Sequence, residues 1–354
     1  MRIDDLDTPC LLLDIDAVDR NIAAMAGFLA DKPAKLRPHF KTPKTPEIAR
    51  RQLAAGAIGI TVAKLGEAEV LVEAGIGPIL MANQVVGRHK IDRLMVLLAR
   101  GADVTIAVES AFNIEELAEG AMRAGQTASA IIEVDSGMHR CGTTDTAETV
   151  RLARMLEERG IRYRGIMGYE GHTVFLDEGE KREKASAALA IVSGHAEALA
   201  EAGLPAEIVS VGGTGTYAIA SMWPGVTEIQ AGSYVFMDGC YQAVFAGQFE
   251  SALTLLTTVL SVKERYAVCD AGLKSLTGEF GMPESADGRL KVRGLSEEHA
   301  HLSGEGLAEL RPGQKVRLVP SHGDTTLNLH DAYHVVRGDE VIDQWPILAA
   351  RKFK

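Results

Sequence analysis

A regular alternation of short apolar runs and amphipathic helical patterns fills most of this 354-residue chain and limits the folds open to it. The apolar runs lie at 35–38, 58–62, 78–81, 103–108, 128–134, 163–169, 207–212 and 227–231. Strands that alternate with helices build parallel sheets covered by helices. Eight such repeats predict an α/β fold, a (β/α)8 barrel of the TIM type. A doubly wound parallel sheet is the alternative, because periodicity alone does not fix the number of strands.

The pattern changes after residue 247, where helical periodicity gives way to strands and turns. Apolar runs at 252–260, 266–270, 315–320 and 333–336 are joined by turns rich in Gly, Asp and Pro. These runs predict a second, mostly β domain. One further apolar run, at 8–14, precedes the alternation and indicates a buried strand.

Composition and charge argue against several classes of partner. The net charge is −11 without a basic cluster, which argues against nucleic acid and anionic membranes. The sequence shows neither a signal peptide nor an apolar run long enough to span a bilayer. The four cysteines are scattered and form no CxxC pair. We therefore expect a reduced, cytoplasmic protein.

A lysine follows the first apolar run of the predicted barrel, in the segment 37–44 (RPHFKTPK). Catalytic groups of such barrels collect at the C-terminal ends of the strands, where Lys41 would lie. Partial desolvation there favours a neutral amine, which can bond an aldehyde covalently. The competing interpretation, a solvated surface lysine, suits Lys44 better than Lys41.

Two glycine-containing loops follow the seventh and eighth runs, at 212–215 (GGTG) and at 232–234 (GSY). Loops at these positions often bind phosphate in barrels, because glycine lets backbone N–H groups approach an anion closely. Either loop alone is explained equally well by a tight turn. Together, and opposite a lysine, they favour pyridoxal 5'-phosphate.

Two more strand ends carry residues suited to that cofactor. Arg140 follows the fifth run and could face the pyridine nitrogen, although a surface arginine is an equally good interpretation. Tyr169 ends the sixth run, where it could pack on the ring or belong to the core. The predicted β domain contains His322 and Asp324, two residues apart. In an extended segment both would point the same way, as ligands of a divalent metal such as manganese or zinc, or simply as parts of a polar turn.

In combination these segments resemble the fold-type III pyridoxal-phosphate enzymes, and among them the D-threonine aldolase and D-serine dehydratase family. The resemblance covers nearly the whole chain and is carried by 8–14, 37–44, 212–215, 230–238, 270–275 and 320–324. It implies an alanine-racemase-like N-terminal barrel over 16–246 and a β domain with the metal site over 247–354. It also implies that residues 1–15 join the β domain.

The resemblance assigns a role to each matching residue. The covalent bond to the cofactor aldehyde falls on Lys41, and the partner of the pyridine nitrogen is Arg140. The remaining cofactor contacts are Tyr169, Gly213, Thr214, Ser233 and Tyr234. The metal ligands are His322 and Asp324. Similar dehydratases carry cysteine in place of this aspartate, so Asp324 favours an aldolase. The chain departs from many relatives at Pro43 and in the loop 168–172, where His172 is the candidate catalytic base.

The implied activity is cleavage of D-threonine and related D-β-hydroxy-α-amino acids to glycine and an aldehyde. It would use pyridoxal phosphate and a divalent metal, Mn²⁺ first, with Zn²⁺, Mg²⁺ or Co²⁺ as alternatives. A homodimer with shared active sites is also implied. Three other functions stay open: dehydration of D-serine or 3-hydroxyaspartate, amino-acid racemisation, and non-catalytic binding of pyridoxal phosphate.

Overall fold

The computed structural model describes residues 1–245 and 247–354, so the predicted domain boundary at residue 246 lies outside the described residues. The chain forms two compact units. The β unit comprises Met1–Ala24, Thr42–Glu47 and Ser233–Arg351. The barrel unit comprises Met25–Lys41, Ile48–Gly232 and Lys352–Lys354.

The strands and helices follow the order of the predicted apolar and amphipathic segments. The strands are β1 (Cys10–Asp14), β2 (Lys35–Leu36), β3 (Ile60–Val62), β4 (Ile79–Gln84), β5 (Val104–Val108), β6 (Ser129–Glu133), β7 (Arg162–Met167), β8 (Ile208–Val211), β9 (Glu228–Ile229), β10 (Leu253–Val262), β11 (Ala267–Cys269), β12 (Glu284–Ser285), β13 (Lys291–Leu295), β14 (Ala300–Ser303), β15 (Lys315–Val319), β16 (Ala332–Arg337) and β17 (Glu340–Pro346). The helices are α1 (Ile15–Leu29), α2 (Pro46–Ala54), α3 (Leu65–Glu73), α4 (Arg88–Ala99), α5 (Ala111–Ala124), α6 (Thr146–Glu158), α7 (Glu178–Glu201), α8 (Tyr217–Ala220), α9 (Gly239–Gln242) and α10 (Gly323–Thr326).

The barrel unit is built on a parallel sheet of the eight strands β2 to β9, in the order β2-β9-β8-β7-β6-β5-β4-β3. The two end strands of this order, β2 and β3, are joined by a parallel backbone β-bridge between His39 and Thr61. There the backbone N–H of Phe40 donates to the carbonyl of Thr61 at 2.7 Å, and that of Thr61 donates to Pro38 at 2.9 Å. The barrel prediction is therefore confirmed, and the sequential strand order excludes a doubly wound sheet.

Local sequence explains the helices around the barrel. Ser110, Asp145 and Asp177 cap α5, α6 and α7, because each side chain accepts a backbone N–H of the first turn. Gly125 ends α5 with a φ of 62°, the left-handed conformation that glycine adopts without steric cost. The side chains of the strands are apolar and are therefore buried in the core. One such cluster joins five neighbouring strands through Leu80, Ala107, Ile131, Met167 and Ile208.

The β unit contains a nine-stranded, largely antiparallel sheet in the order β11-β14-β13-β12-β15-β10-β1-β16-β17. The N-terminal strand β1 lies inside this sheet, antiparallel to β10 and parallel to β16. Its core face includes Leu11 and Leu13, both fully buried. The mostly β character predicted for this region is confirmed. The sequence analysis missed the strands β12, β13, β14 and β17, which are short or largely solvent-exposed.

The edges of the two units differ from the predicted ranges 1–15, 16–246 and 247–354. Inside the β unit, the Asn21 amide donates to the carbonyls of Val235 and Glu250 at 3.2 and 2.8 Å. The ring of Phe236 lies edge-on to that of Tyr333, with centroids 5.7 Å apart. Such contacts hold the start of α1 and the segment after Gly232 to the β sheet. Within the described ranges, every helix is too short or too polar to cross a bilayer.

Candidate functional site

Six of the residues predicted from the sequence stand in the barrel unit, at the C-terminal ends of its strands. They are Lys41, Arg140, Tyr169, His172, Gly213 and Thr214. Lys41 is half-buried beyond β2, and its backbone N–H donates to Nδ1 of His39 at 3.3 Å. Gly213 and Thr214 are buried beyond β8.

Lys44 is buried, with 6% of its surface exposed, so its interpretation as a solvated surface lysine was wrong. It belongs to the β unit and has a φ of 48°. Its carbonyl accepts the N–H of Ala349 at 3.1 Å. The preceding carbonyl, of Pro43, accepts the hydroxyl of the fully buried Tyr333 at 2.9 Å. These contacts bury the segment immediately after Lys41.

The loop 135–142 beyond β6 is ordered by its own side chains. Asp135 accepts the backbone N–H groups of Gly137 and His139 at 2.9 and 3.0 Å. Gly142 has a φ of 112°, and a Cβ atom there would lie 2.4 Å from the Asp135 nitrogen. Its N–H donates to the Glu109 carboxylate. The loop therefore requires glycine at 142 and an acceptor at 135.

Arg140 stands on this loop beside a buried carboxylate. Its side chain is 54% exposed, and its Nη2 atom lies 3.9 Å from Oε1 of Glu133. Gln84 donates to the other oxygen of Glu133 at 2.5 Å. Burial raises the pKa of Glu133, against the lowering effect of Gln84 and Arg140. The strand end thus places an exposed cation beside a buried carboxyl group.

Two glycines in the loop beyond β8 have no room for a side chain. A Cβ atom on Gly213 would lie 2.9 Å from Cε2 of Tyr169, and one on Gly215 would lie 2.6 Å from Cγ1 of Val174. The Tyr169 ring therefore packs directly on the loop backbone. Glycine at 213 and 215 is thus required by packing, since a side chain there would meet Tyr169 or Val174.

Glu170, which the sequence analysis missed, braces the glycine loop from inside. It is 1% exposed and accepts the Thr216 hydroxyl at 2.5 Å. That hydroxyl oxygen in turn accepts the N–H of Gly213 at 3.1 Å. Burial raises the pKa of Glu170, and hydrogen bonds from Thr216 and Gly212 partly oppose the rise. No sequence pattern marked Glu170, because acidic residues are common beside strand ends.

His172 lies on a short 3-10 turn, Gly171–Thr173, and is solvent-exposed. Its ring packs against Gly137, where a Cβ atom would lie 2.9 Å from Cε1. Partial desolvation and the charges of His139 and Lys184 lower the pKa of His172. The imidazole is therefore neutral near pH 7 and able to accept a proton.

The other two predicted phosphate contacts, Ser233 and Tyr234, belong to the β unit. Both are buried, on a 3-10 turn that Ser233 begins. The Ser233 carbonyl accepts the N–H of Met237 at 2.8 Å. The Tyr234 ring packs on Phe249 with centroids 5.6 Å apart. The six predicted cofactor contacts other than Lys41 are thus divided between the two units.

The predicted metal ligand His322 stands in a cluster that the sequence analysis did not foresee. Its Nδ1 atom lies 3.1 Å from Oδ2 of Asp238 and 3.7 Å from Sγ of Cys240. Ligand atoms of these three residues lie within 4.8 Å of one another. Both missed residues were visible only as parts of other features: Asp238 ends a segment that carries the family resemblance, and Cys240 is one of four scattered cysteines.

Asp324 acts on the same histidine through its charge. Burial alone would lower the pKa of His322, but the hydrogen bond to Asp238 and the charges of Asp324 and Asp238 raise it above its ordinary value. An imidazole surrounded by carboxylates attracts cations. The structure therefore brings the predicted pair, His322 and Asp324, into one electrostatic environment.

Comparison with known proteins places the chain in a family. Residues 13–239 match the model of the alanine racemase N-terminal domain, and residues 252–336 match that of a putative serine dehydratase domain. D-threonine aldolase of Arthrobacter sp. is 38% identical, over 97% of this chain and 93% of its own. 3-Hydroxy-D-aspartate aldolase of Paracoccus denitrificans (strain Pd 1222) is 36% identical, over 98% and 93%. The crystal structure of D-threonine aldolase from Filomicrobium marinum superposes with a TM-score of 0.95 at 37% identity, covering 99% of this chain and 97% of that one.

The chain belongs to the D-threonine aldolase and D-serine dehydratase family of fold-type III pyridoxal-phosphate enzymes. It is a lyase, and its cofactor is pyridoxal phosphate. The barrel unit of this family member fits that cofactor: Lys41 is half-buried at a strand end, and three of the four residues in the buried loop 212–215 are glycine, whose backbone N–H groups an anion can approach.

The β unit of this family member also fits a divalent cation. Imidazole and carboxylate ligands together suit Mn²⁺, Zn²⁺ or a related ion. The cluster around His322 carries two carboxylates, Asp238 and Asp324, of which Asp238 is almost fully buried. Buried charges in proteins are paired or coordinate metals, so carboxylates beside an imidazole suit a bound cation.

Proposed function

We propose that this family member cleaves D-threonine and related D-β-hydroxy-α-amino acids to glycine and an aldehyde, with a divalent metal, Mn²⁺ first, at His322 and Asp324. The observation that carries this proposal is the carboxylate of Asp324, whose charge acts on His322, within a chain whose similar proteins include two aldolases. A carboxylate prefers harder ions, which bind substrate oxygen atoms.

The barrel unit would hold the cofactor and move the proton. Lys41 would supply the amine that bonds the cofactor aldehyde, and the backbone of 212–215 would receive the phosphate. Arg140 would place its permanent charge near the pyridine nitrogen. When bound, pyridoxal phosphate would supply an electron sink for the cleavage of the Cα–Cβ bond.

His172 would take the proton from the β-hydroxyl group of the substrate. Its lowered pKa keeps the imidazole neutral, as a general base near pH 7 requires. His322 and Asp324 would hold the metal, which supplies Lewis acidity toward an oxygen atom. A neutral His172 as the base and a metal at His322 would thus both promote cleavage of the Cα–Cβ bond.

Product analysis tests the proposal. Purified protein loaded with pyridoxal phosphate and Mn²⁺ is incubated with D-threonine, D-3-hydroxyaspartate and D-serine, with L-threonine as the stereochemical control. We expect glycine and acetaldehyde from D-threonine and no reaction of L-threonine. A chelator and the substitution Asp324→Ala should each abolish cleavage, while the absorbance of the lysine-bound cofactor remains.

Dehydration is the second candidate, because the matched serine dehydratase domain, residues 252–336, includes both predicted metal ligands. A dehydratase would release ammonia and a 2-oxo acid. Ammonia and 2-oxobutanoate as the main products from D-threonine would replace the aldolase proposal with this one. Cleavage that survives complete chelation would remove the metal from either function.

A further inference from the structure

Among the described residues, the carboxylate of Asp238 has four hydrogen-bonding partners, and Asp238 has only 3% of its surface exposed. Its Oδ1 atom accepts the N–H of Tyr241 at 3.2 Å, which caps α9, and the thiol of Cys240 at 3.1 Å. Its Oδ2 atom accepts the N–H of Gly323 at 2.7 Å and contacts Nδ1 of His322 at 3.1 Å. One carboxylate therefore joins the start of α9 to the start of α10.

The contact with His322 determines which imidazole nitrogen carries hydrogen. An ionised carboxylate only accepts hydrogen bonds, so Nδ1 must be the donor. In the neutral ring the lone pair is then on Nε2, the nitrogen that remains able to bind a metal. The Phe280 ring lies edge-on to the imidazole, with centroids 5.2 Å apart, and restricts its rotation.

We propose that Asp238 is a positioning residue: it holds the proton on Nδ1 of His322 and so presents Nε2 as the metal-binding atom. This inference rests on the proposed function, which places the ion at His322 and Asp324. Carboxylates that hold a metal-binding histidine in this way typically contribute about 10–100-fold to metal affinity or activity.

The same three side chains could instead hold a thiophilic ion between them. The contacts favour the positioning role, because both oxygens of Asp238 already accept backbone N–H groups, from Tyr241 and Gly323. An ion among Asp238, Cys240 and Nδ1 of His322 would have to compete with these donors. If an ion were held among these three side chains, Cys240→Ser would lose metal binding. The experiment below includes this variant.

The first measurement needs no substitution. Protein labelled with 15N-histidine and loaded with pyridoxal phosphate is studied without metal, in alkaline buffer, by NMR of the imidazole nitrogens. The His322 signals are assigned by their loss in His322→Gln. We expect the tautomer with hydrogen on Nδ1, and an increased share of the Nε2-protonated form in Asp238→Asn. A wild-type ring protonated on Nε2 would overturn the inference, whatever the metal does.

The second measurement is Mn²⁺ affinity, followed by the electron paramagnetic resonance of free Mn²⁺. Asp238→Asn should bind Mn²⁺ about 10–100-fold more weakly than wild type. Asp270→Asn is the matched control, since Asp270 also lies in the β unit and accepts the N–H of Thr258 at 2.9 Å and the Thr257 hydroxyl at 2.7 Å. It should bind Mn²⁺ like wild type.

Equal Mn²⁺ affinity of wild type and Asp238→Asn would overturn the inference while leaving the proposed function intact. A wild type that binds no divalent ion would refute the metal in the proposed function, and the tautomer would still decide the role of Asp238. A Cd²⁺–thiolate absorption band that disappears in Cys240→Ser, together with loss of Mn²⁺ binding in that variant, would show that the cluster itself is the metal site. That result would also overturn the inference.

Discussion

The barrel-end residues and the His322 cluster are assembled in different ways. Lys41, Arg140, Tyr169 and the loop 212–215 each follow a different parallel strand, and the backbone of the sheet alone brings them to one end. The His322 cluster joins two segments 82 to 84 residues apart through side-chain hydrogen bonds. Arg140 is 54% exposed, whereas Asp238 is 3% exposed.

This difference in assembly indicates whether a substitution should mainly affect activity or stability. A strand-end residue on a braced loop can be changed while its neighbours keep their places, so chemistry is lost before stability. A member of the buried cluster carries hydrogen bonds for its neighbours, and its removal leaves donors without acceptors. Four predictions test this contrast between strand-end residues and buried, hydrogen-bonded residues, in order of expected effect.

Lys41→Ala should reduce activity to background, because the chain then lacks the amine that bonds the cofactor. Borohydride treatment of the wild type should fix the cofactor on the peptide that contains Lys41, as read by mass spectrometry. Lys64→Ala, a lysine beyond β3, is the control and should retain the label. Labelling of Lys44 or Lys64 would contradict the assignment and with it the strand-end interpretation.

A mixed dimer tests whether the two sites work across subunits, as the family resemblance implies. Lys41→Ala and His322→Ala subunits, each inactive alone, should recover part of the activity when combined. With active sites shared between subunits, one of the two sites in such a dimer contains both intact residues. Differently tagged subunits allow the mixed dimer to be purified before assay. If the verified heterodimer stays inactive, the sites are not shared.

His172→Gln should lower kcat/KM by about 10²–10⁴-fold, the usual contribution of a general base. In the wild type, kcat/KM should fall with decreasing pH only below about 6.5, since the pKa of His172 is lowered from its ordinary value. The pH profile of D-threonine cleavage measures both. His139→Gln, on the facing loop, should shift the acid limb upward because it removes a positive charge. An unchanged acid limb in His172→Gln would assign the base elsewhere.

The smallest effect concerns His195, a buried histidine behind the loop 135–142. Its Nδ1 atom contacts the Thr149 hydroxyl at 2.8 Å, which in turn contacts Thr143 at 2.6 Å. Burial lowers the pKa of His195. The unfolded chain therefore binds the proton first as pH falls below about 6.5, and the free energy of unfolding decreases from there down to the lowered pKa.

His195→Gln should lower the free energy of unfolding by roughly 1 kcal/mol at pH 8 and make its decrease toward pH 5 shallower. Urea denaturation at several pH values measures both. Thr149→Val is the control: it removes the hydrogen bond but keeps the titrating imidazole, so the slope should stay as in wild type. If the free energy of unfolding of His195→Gln decreases with pH as steeply as that of wild type, other histidines cause the decrease.

The alternation of apolar runs determined the barrel, because strand periodicity and helix caps are local properties of the chain. The strand-end rule then pointed to Lys41, Arg140, Tyr169 and the glycine loop without any knowledge of packing. The sequence likewise indicated His322 and Asp324, since they are only two residues apart. These residues alone favoured pyridoxal phosphate and left a metal site open beside a polar turn. The family resemblance then assigned a role to each residue.

Tertiary structure alone decided the surroundings of these residues. Asp238 meets His322 across 84 residues through two four-residue helices, which are too short to leave a periodic signal. Lys44 is buried because the segment 42–47 packs with the β sheet, although the sequence analysis interpreted it as a solvated surface lysine. Glu170 braces the glycine loop from a position that no motif distinguishes. In each case burial creates the need for a partner, and the partner comes from a distant part of the chain.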